Sequence, residues 1–555
     1  HQAQARPEGS HSGFGPGPGF GFAFGFGAGF GFGFGAGFGF GFGAGFGPAP
    51  RSSSREGPMT MRRALLLLTL LLGCTSKNDA APAQDAGPPP KTCAEPAGPF
   101  APLSTRCGQL VDAQGRVVLF RGVNARVRGI FDADLGPGKV PLMPPIPVVG
   151  EADFKRMRQI GFDMVRLPIN WSALEPEDAD PPKYDEAYLD RIVGVIGAAK
   201  KHGVLVMPDF HQDAWSKWIG QDGAPLWAIV PAPEKLLEGP LDDLADRRLS
   251  KQVAAAWGTF FSPSSADGKR LRARFAAMVA KVAARLKDDD NVLALEIFNE
   301  PEAKDEELRA LHEQVGAEIR KADPKRLIAF EPPVVRNFLD RALQPDTPLS
   351  FGGTIYAPHV YTKVFSTGCD SKCRNDFSLD TLRPSNENAR AEADAWRSPL
   401  FVTETGFDPR ELRFADWVGF QYQLQDEYLA SSAWWVWKEN SEGSWGLFDW
   451  DSATDSWKER PAARKAYARP QVRAIGGWPQ SVTWDAGKKT FTVLLAGSAA
   501  VTAPTIVHTP LAEDFPATWR ATCDGRSLPV SPDAYGDVAL ACGGEGVHRI
   551  VLEGS

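Results

Sequence analysis

The stretch Asn291-Val-Leu-Ala-Leu-Glu-Ile-Phe-Asn-Glu-Pro301 constrains this chain more tightly than any other. Its apolar run has the texture of a strand covered on both faces, as in a parallel sheet. Pro301 has no amide hydrogen to offer a neighbouring strand, so the strand is expected to end at Glu300, with that carboxylate at its C-terminal mouth. Pro399-Leu-Phe-Val-Thr-Glu404-Thr-Gly406 repeats the design, an apolar run closing on a glutamate.

From Cys107 onward, strand-like and helix-like segments alternate. Strands are expected at 117–123, 163–169, 204–210, 292–298, 327–330, 354–357, 400–403 and 433–437. Helical patterns lie at 151–160, 186–201, 269–286, 305–321 and 417–429. This predicts an α/β fold, a (β/α)8 barrel over 93–468 whose strand C-termini carry the chemistry. Beyond Arg469 the texture changes to short strands at 481–484, 490–495, 505–508, 519–523, 538–542 and 548–552, which predicts a small antiparallel β-sandwich over 469–555.

The 555 residues leave room for further segments at the N-terminus. Residues 1–58 alternate Gly and Phe and hold too much glycine to repay their ordering entropy; they are expected to be disordered, or an extension upstream of a start at Met59 or Met61. Residues 59–74 carry Arg62-Arg63, a short apolar run and Leu71-Leu72-Gly73-Cys74, an export signal ending like a bacterial lipobox. That reading puts a lipid on the Cys74 sulfur, a tether over 75–92, and the protein in a bacterial envelope, at the outer membrane or cell surface. An ordinary signal peptide cleaved nearby, and secretion, is the alternative. The six other cysteines are expected to pair as 93–107, 369–373 and 523–542. A net charge of −7, mixed along the chain, excludes a nucleic-acid surface. No cofactor motif or metal-ligand spacing is present, and a monomer is expected.

The expected strand ends assemble a list of pocket-facing candidates. They are Arg166, Asp209-Phe-His211-Gln-Asp213, Asn299-Glu300, His359-Val-Tyr361, Glu404 and Trp434-Trp435-Val-Trp437-Lys438. Two strand-end carboxylates are the equipment of a retaining glycosidase, with Glu300 as acid/base and Glu404 as nucleophile. Asn299 can bond a sugar 2-hydroxyl, Tyr361 or Arg166 can hold Glu404 ionised, His211 can bind a sugar hydroxyl, and Trp437 offers a flat face beneath the ring. Each has a plainer reading as well. Arg166 can be a core charge paired with Glu296, His211 a satisfied buried histidine, and one of Trp434 and Trp435 must pack outside the lumen. Sixteen Trp suit sugar stacking, although large cores also consume indoles.

The ordered set Arg166, His211, Asn299-Glu300-Pro301, His359-x-Tyr361, Glu404 and Trp437 resembles glycoside hydrolase family five, the cellulase-like retaining barrels. Asp209-Phe-His-Gln-Asp213, Gly220-Gln-Asp-Gly-Ala-Pro225, Trp227 and Tyr356-Ala-Pro-His359 resemble its endoglycoceramidase branch. The resemblance covers the chain from about Cys107 to its end. It implies hydrolysis, with retention, of the bond between an intact oligosaccharide and ceramide, with Asn299, His211, Asp213, Tyr361 and Trp437 binding the sugar next to the cut. Where many members place a sugar-binding Lys, this chain has Arg126 and Arg128, a planar fork in place of a point charge, which leaves room for a galactosyl-linked substrate or a steryl glucoside.

The insertion at 214–264 carries Trp215, Trp218 and Trp227, which form either an aglycone groove or a satellite core. Rival readings are an endo-β-glucanase or mannanase of the same family and, in another class, a carbohydrate-binding lipoprotein without catalysis. The presence of both glutamates argues against the last.

Overall fold

The computed structural model describes residues 92–93, 102–241, 244–364, 370–439, 445–511, 516 and 518–555. The Gly-Phe segment, the export signal with Cys74, and the tether up to residue 91 lie outside the described residues, as does Cys369 with its expected pairing to Cys373. Among the described residues no helix is long and apolar enough to cross a membrane.

Eight parallel strands close into the barrel. They are β1 (Arg121–Asn124), β2 (Met164–Ile169), β3 (Leu205–Phe210), β4 (Ala294–Glu296), β5 (Leu327–Phe330), β6 (Thr354–Tyr356 continued by His359–Val360), β7 (Phe401–Thr405) and β8 (Ser431–Trp434). The two pieces of β6 complete the ring, the first pairing with β5 and the second with β7, with Tyr356 bridged to Leu400. Register then does chemical work: His359 lies directly opposite Glu404. Buried apolar residues from β2 to β8, among them Met164, Met207, Ala329, Ile355, Phe401 and Ala433, form a lumen core beneath the site.

The apolar run 117–123 is not one barrel strand. Val117–Val118 pairs antiparallel with Gln109–Asp112 and with Gln471–Ile475, and Arg121–Asn124 alone enters the barrel. The chain changes sheets at Leu119, whose amide donates to Arg473 and whose side chain lies in the sandwich core. Both sheets bury both faces of this segment, so hydrophobicity carried no mark of the switch. The residues before β1 therefore belong with the C-terminal strands.

One antiparallel sheet runs in the order Leu103–Arg106, Gln109–Asp112, Val117–Val118, Gln471–Ile475, Thr505–His508 and Asp537–Leu540. The other runs Trp478–Asp485, Thr490–Gly497, Gly546–Gly554, Trp519–Cys523 and Arg526–Leu528. Phe491, Val493 and Leu495 alternate inward from the second sheet to meet Val472, Ile475 and Val507 of the first. On its other face the first sheet sends Leu110, Val118 and Ala474 into the same cluster as the lumen residues, so the sandwich plugs the barrel. Disulfides join Cys93 to Cys107 and Cys523 to Cys542, as expected.

Charge fixes this junction. Asp537 of the sandwich meets Arg158 of the helix Glu151–Ile160 at 2.7 Å, His508 at 3.1 Å and Arg473 at 3.7 Å. Burial alone would raise the Asp537 carboxyl, but these partners bring it well below the usual range. Gly161 ends the same helix at φ +118°, and a Cβ there would stand 3.0 Å from the His508 ring, so glycine serves both the turn and the close approach. Burial holds His508 down to about 4. Asp537→Ala should cost about 3 kcal/mol of unfolding free energy, because it strands two arginines at a buried contact. In the wild-type protein, thermal unfolding should shift to lower temperature as pH falls from 6.5 toward 4. The unfolded chain protonates His508 in that window while the folded one resists, and a midpoint flat across it would contradict the assignment.

Candidate active site

Strand β2 points Arg166 into the lumen with none of its side chain exposed. Its Nε donates to Glu296 at 2.6 Å, one terminal nitrogen donates to Asn124 at 3.1 Å and to Glu404, and the other donates to Asn299 at 2.9 Å and Glu331 at 3.1 Å. Asp209 lies 3.1 Å away. Burial works against the charge, but Asp209, Glu296, Glu404 and Glu331 more than restore it and hold the guanidinium well above its ordinary pKa. Both sequence readings of Arg166 are therefore realised together, as the partner of Glu296 and as a donor to Glu404.

Glu404 ends the apolar run of β7 and accepts from Arg166 and, at 2.8 Å, from the Tyr361 hydroxyl. Glu300 follows β4 in a left-handed conformation, φ +41°, that a side chain-bearing residue adopts only when its surroundings fix it. Gln212 fixes it, donating to the carbonyls of Asn299 and Glu300 at 2.8 and 3.2 Å, while the Glu300 amide donates to Glu331 at 3.0 Å. The Glu300 carboxylate accepts from Asn337 at 2.6 Å, lies 2.9 Å from His359 Nδ1 and pairs with Arg248 at 2.8 Å. Burial pushes this carboxyl up, and Arg248 and His359 outweigh it, leaving it well below the usual range. His359 is fully buried, yet Glu331 and Glu404 raise it well above an ordinary histidine. Burial pushes Glu331 up to about 8 despite His359 and Arg166.

Ligand atoms of Glu300, His359 and Glu404 lie within 4.8 Å of one another, which brings the two strand-end glutamates together beside one histidine. Glu296, Glu331 and His359 form a second such group, and His211, Asp213 and Asp222 a third. In each, arginine or amide donors already engage carboxylates, as Arg166, Arg248 and Asn170 do. This charge balance suits proton transfer at fixed carboxylates.

The other expected residues divide. His211 rests its Nδ1 on Asp209 at 2.5 Å and turns Nε2 toward Asp213, 3.6 Å away. Asn299 is committed to Arg166 and to the Gln212 carbonyl. Trp437 does not floor the pocket: it is fully buried, its indole N–H donates to Asp153 at 2.9 Å, and it packs against Phe162 and Phe448. Lys438 likewise turns to Asp153. The chain leaves β8 so that Trp434 packs outward on Tyr422 and Tyr467, while half-buried Trp435 stacks on His211, 5.8 Å between centroids and 11° apart, with Arg126 over its ring. Trp435 is the lumen-side aromatic surface.

Of the insertion tryptophans, Trp215 is a core residue packed on Trp257 and Phe260. Trp227 stands edge-on to Trp171 beneath Arg274. Trp218 is half-buried beside Lys217. The insertion aromatics thus build a satellite core, and an aglycone groove formed by all three is not what the structure shows. Glu331, Asn337 and Arg248 are the site residues that strand-end reading missed. Glu331 had a signal, since Leu327-Ile-Ala-Phe-Glu331-Pro repeats the apolar-run, glutamate, proline pattern of Glu300. Asn337 and Arg248 had none, because they reach the site from outside the strands.

The model of the family described as cellulase (glycosyl hydrolase family 5) matches residues 111–441, and the chain belongs to that family. Among curated relatives, Endoglycoceramidase I of Rhodococcus hoagii is 29% identical over 284 residues, 48% of this chain and 54% of its own, so the chain spans about half the length of that relative. Among solved structures, endo-glycoceramidase II from Rhodococcus sp., captured as its lactosyl-enzyme intermediate, aligns with TM-score 0.64 at 22% identity, covering 81% of this chain and all of its own. An endogalactoceramidase aligns at 0.65 and 23%, covering 82% and 99%. These structures share the fold.

The two aromatic positions separate by experiment. Trp435→Ala should raise KM for a glycoside substrate by about tenfold or more, with little loss of melting temperature. Trp437→Ala should cost about 4 kcal/mol of stability. The reverse pattern would return the platform role to Trp437.

Proposed function

We propose that this protein is a retaining endo-glycosidase that cuts the β-glycosidic bond between an oligosaccharide and the ceramide of glycosphingolipids. The carrying observation is the carboxylate pair. Oxygens of Glu300 and Glu404 within 4.8 Å fit the short spacing of a retaining pair, about 5–5.5 Å between carboxyl groups, better than the roughly 6.5 Å or more of an inverting pair.

Glu404 attacks the anomeric carbon, aimed by Arg166 and Tyr361, which donate to its two oxygens. Glu300 gives its proton to the departing ceramide oxygen as the carbon–oxygen bond breaks, leaving a glycosyl ester on Glu404. Glu300, now a carboxylate, takes a proton from water, whose oxygen opens the ester and restores Glu404. His359 stands beside both carboxylates, where its protonated form limits their mutual repulsion. In this reading His211, Asp213 and the Asn299 amide bind sugar hydroxyls, with Trp435 supplying the apolar face.

The ceramide aglycone is supported by the relatives named endoglycoceramidase, one of them captured as its lactosyl-enzyme intermediate. We also propose that a lipid on Cys74 anchors a monomeric enzyme to the bacterial envelope, on the strength of Leu71-Leu72-Gly73-Cys74.

The test is to incubate the purified protein in detergent with β-glucosylceramide, lactosylceramide, a steryl β-glucoside and carboxymethylcellulose, and to identify products by mass. Free ceramide with an intact glycan is expected. Cleavage of cellulose alone, or of the steryl glucoside alone, would overturn the ceramide reading while keeping both glutamates. Glu300→Gln should slow lactosylceramide turnover by roughly 100-fold or more.

A further inference from the structure

We infer that Arg248 is a positioning residue that latches onto Glu300 between the two chemical steps, releasing it while the aglycone is bound and returning once the aglycone has left. The inference rests on the reading of Glu300 as acid/base.

Arg248 sits at the end of the five-residue helix Leu244–Arg248 in the insertion between β3 and β4. Its guanidinium spans Asp213 and Glu300, one terminal nitrogen on each. With Asn337 and His359 on the other oxygen, both oxygens of Glu300 accept hydrogen bonds, the arrangement of a carboxylate and not of an acid. Of the three donors Arg248 stands outermost. Its side chain is 21% exposed, whereas Asn337 and His359 lie within the protein. A leaving group approaching Glu300 from solvent meets Arg248 first.

A retaining mechanism needs Glu300 protonated for the first step and ionised for the second. The groups facing it are Arg248 from the insertion, His359 and Tyr361 from β6 and its end, Glu404 from β7, Glu331 after β5, and Glu302 on its own segment. All but Arg248 stand on barrel strands or directly after them. Burial raises the Glu300 carboxyl and Arg248 is the largest influence lowering it, so moving this one side chain away raises the carboxyl toward its acid form. Asp213 keeps a hold on the guanidinium during the excursion, which makes the motion a swing about Asp213. No atom is exchanged: Arg248 donates hydrogen bonds only, and the catalytic proton stays between Glu300, the aglycone oxygen and water.

The experiment compares wild type, Arg248→Gln, Arg248→Lys and Glu300→Gln on 4-nitrophenyl β-lactoside, whose good leaving group makes breakdown of the glycosyl-enzyme limit kcat. Arg248→Gln should lower kcat and KM together and move the acid limb of the kcat–pH profile up by about one unit or more, because ionised Glu300 is then harder to form. Arg248→Lys should restore part of both, and unchanged melting temperatures exclude misfolding. If Glu300→Gln abolishes that acid limb while Arg248→Gln leaves limb and kcat as in wild type, the latch is wrong and the acid/base assignment stands. If Glu300→Gln leaves the limb in place, the acid/base assignment itself fails.

Discussion

Every part of the pocket is fastened to one buried guanidinium. Arg166 collects carboxylates from four other strands or their ends, Asp209 of β3, Glu296 of β4, Glu331 after β5 and Glu404 of β7, and amide oxygens from Asn124 and Asn299. A charge taken out of water costs several kcal/mol unless its partners satisfy it fully, and here almost every donor of a planar fork is used. Such a cluster tolerates little displacement. The nucleophile candidate is therefore held in place by the same bonds that keep the centre of the barrel neutral enough to fold.

The rest of the architecture protects that cluster. The lumen core below it is apolar, and the sandwich closes the barrel with Leu110, Val118 and Ala474. The junction is pinned by Asp537 between Arg158 and Arg473. Among the described residues the insertion adds no strand to the barrel; it builds its own aromatic core around Trp215, Trp257 and Phe260 and extends Arg248 to Glu300. The strands thus set the geometry of the two glutamates, and a side chain from outside the barrel strands touches Glu300.

The strand-end carboxylates were legible because proline and apolar runs mark where a barrel strand stops, and Glu300, Glu404, Arg166 and Tyr361 converge where that pattern put them. The change of sheet at Leu119 was not, since two different sheets bury the same run equally well. Nor could residue count decide between Trp434, Trp435 and Trp437. Past the end of β8 strict alternation lapses, and Trp437 swings out to Asp153 while Trp435 meets His211. Contacts made across long stretches of chain, such as Asn337 and Arg248 on Glu300, have no local signature at all.

The most direct measurement of this account is to trap the glycosyl-enzyme with a 2-deoxy-2-fluoro lactosyl fluoride and locate the label by peptide mass spectrometry. Because Arg166 and Tyr361 together orient Glu404, the label should appear on that residue at one per chain. A label on Glu331 or Glu300, or turnover with no covalent species, would contradict it.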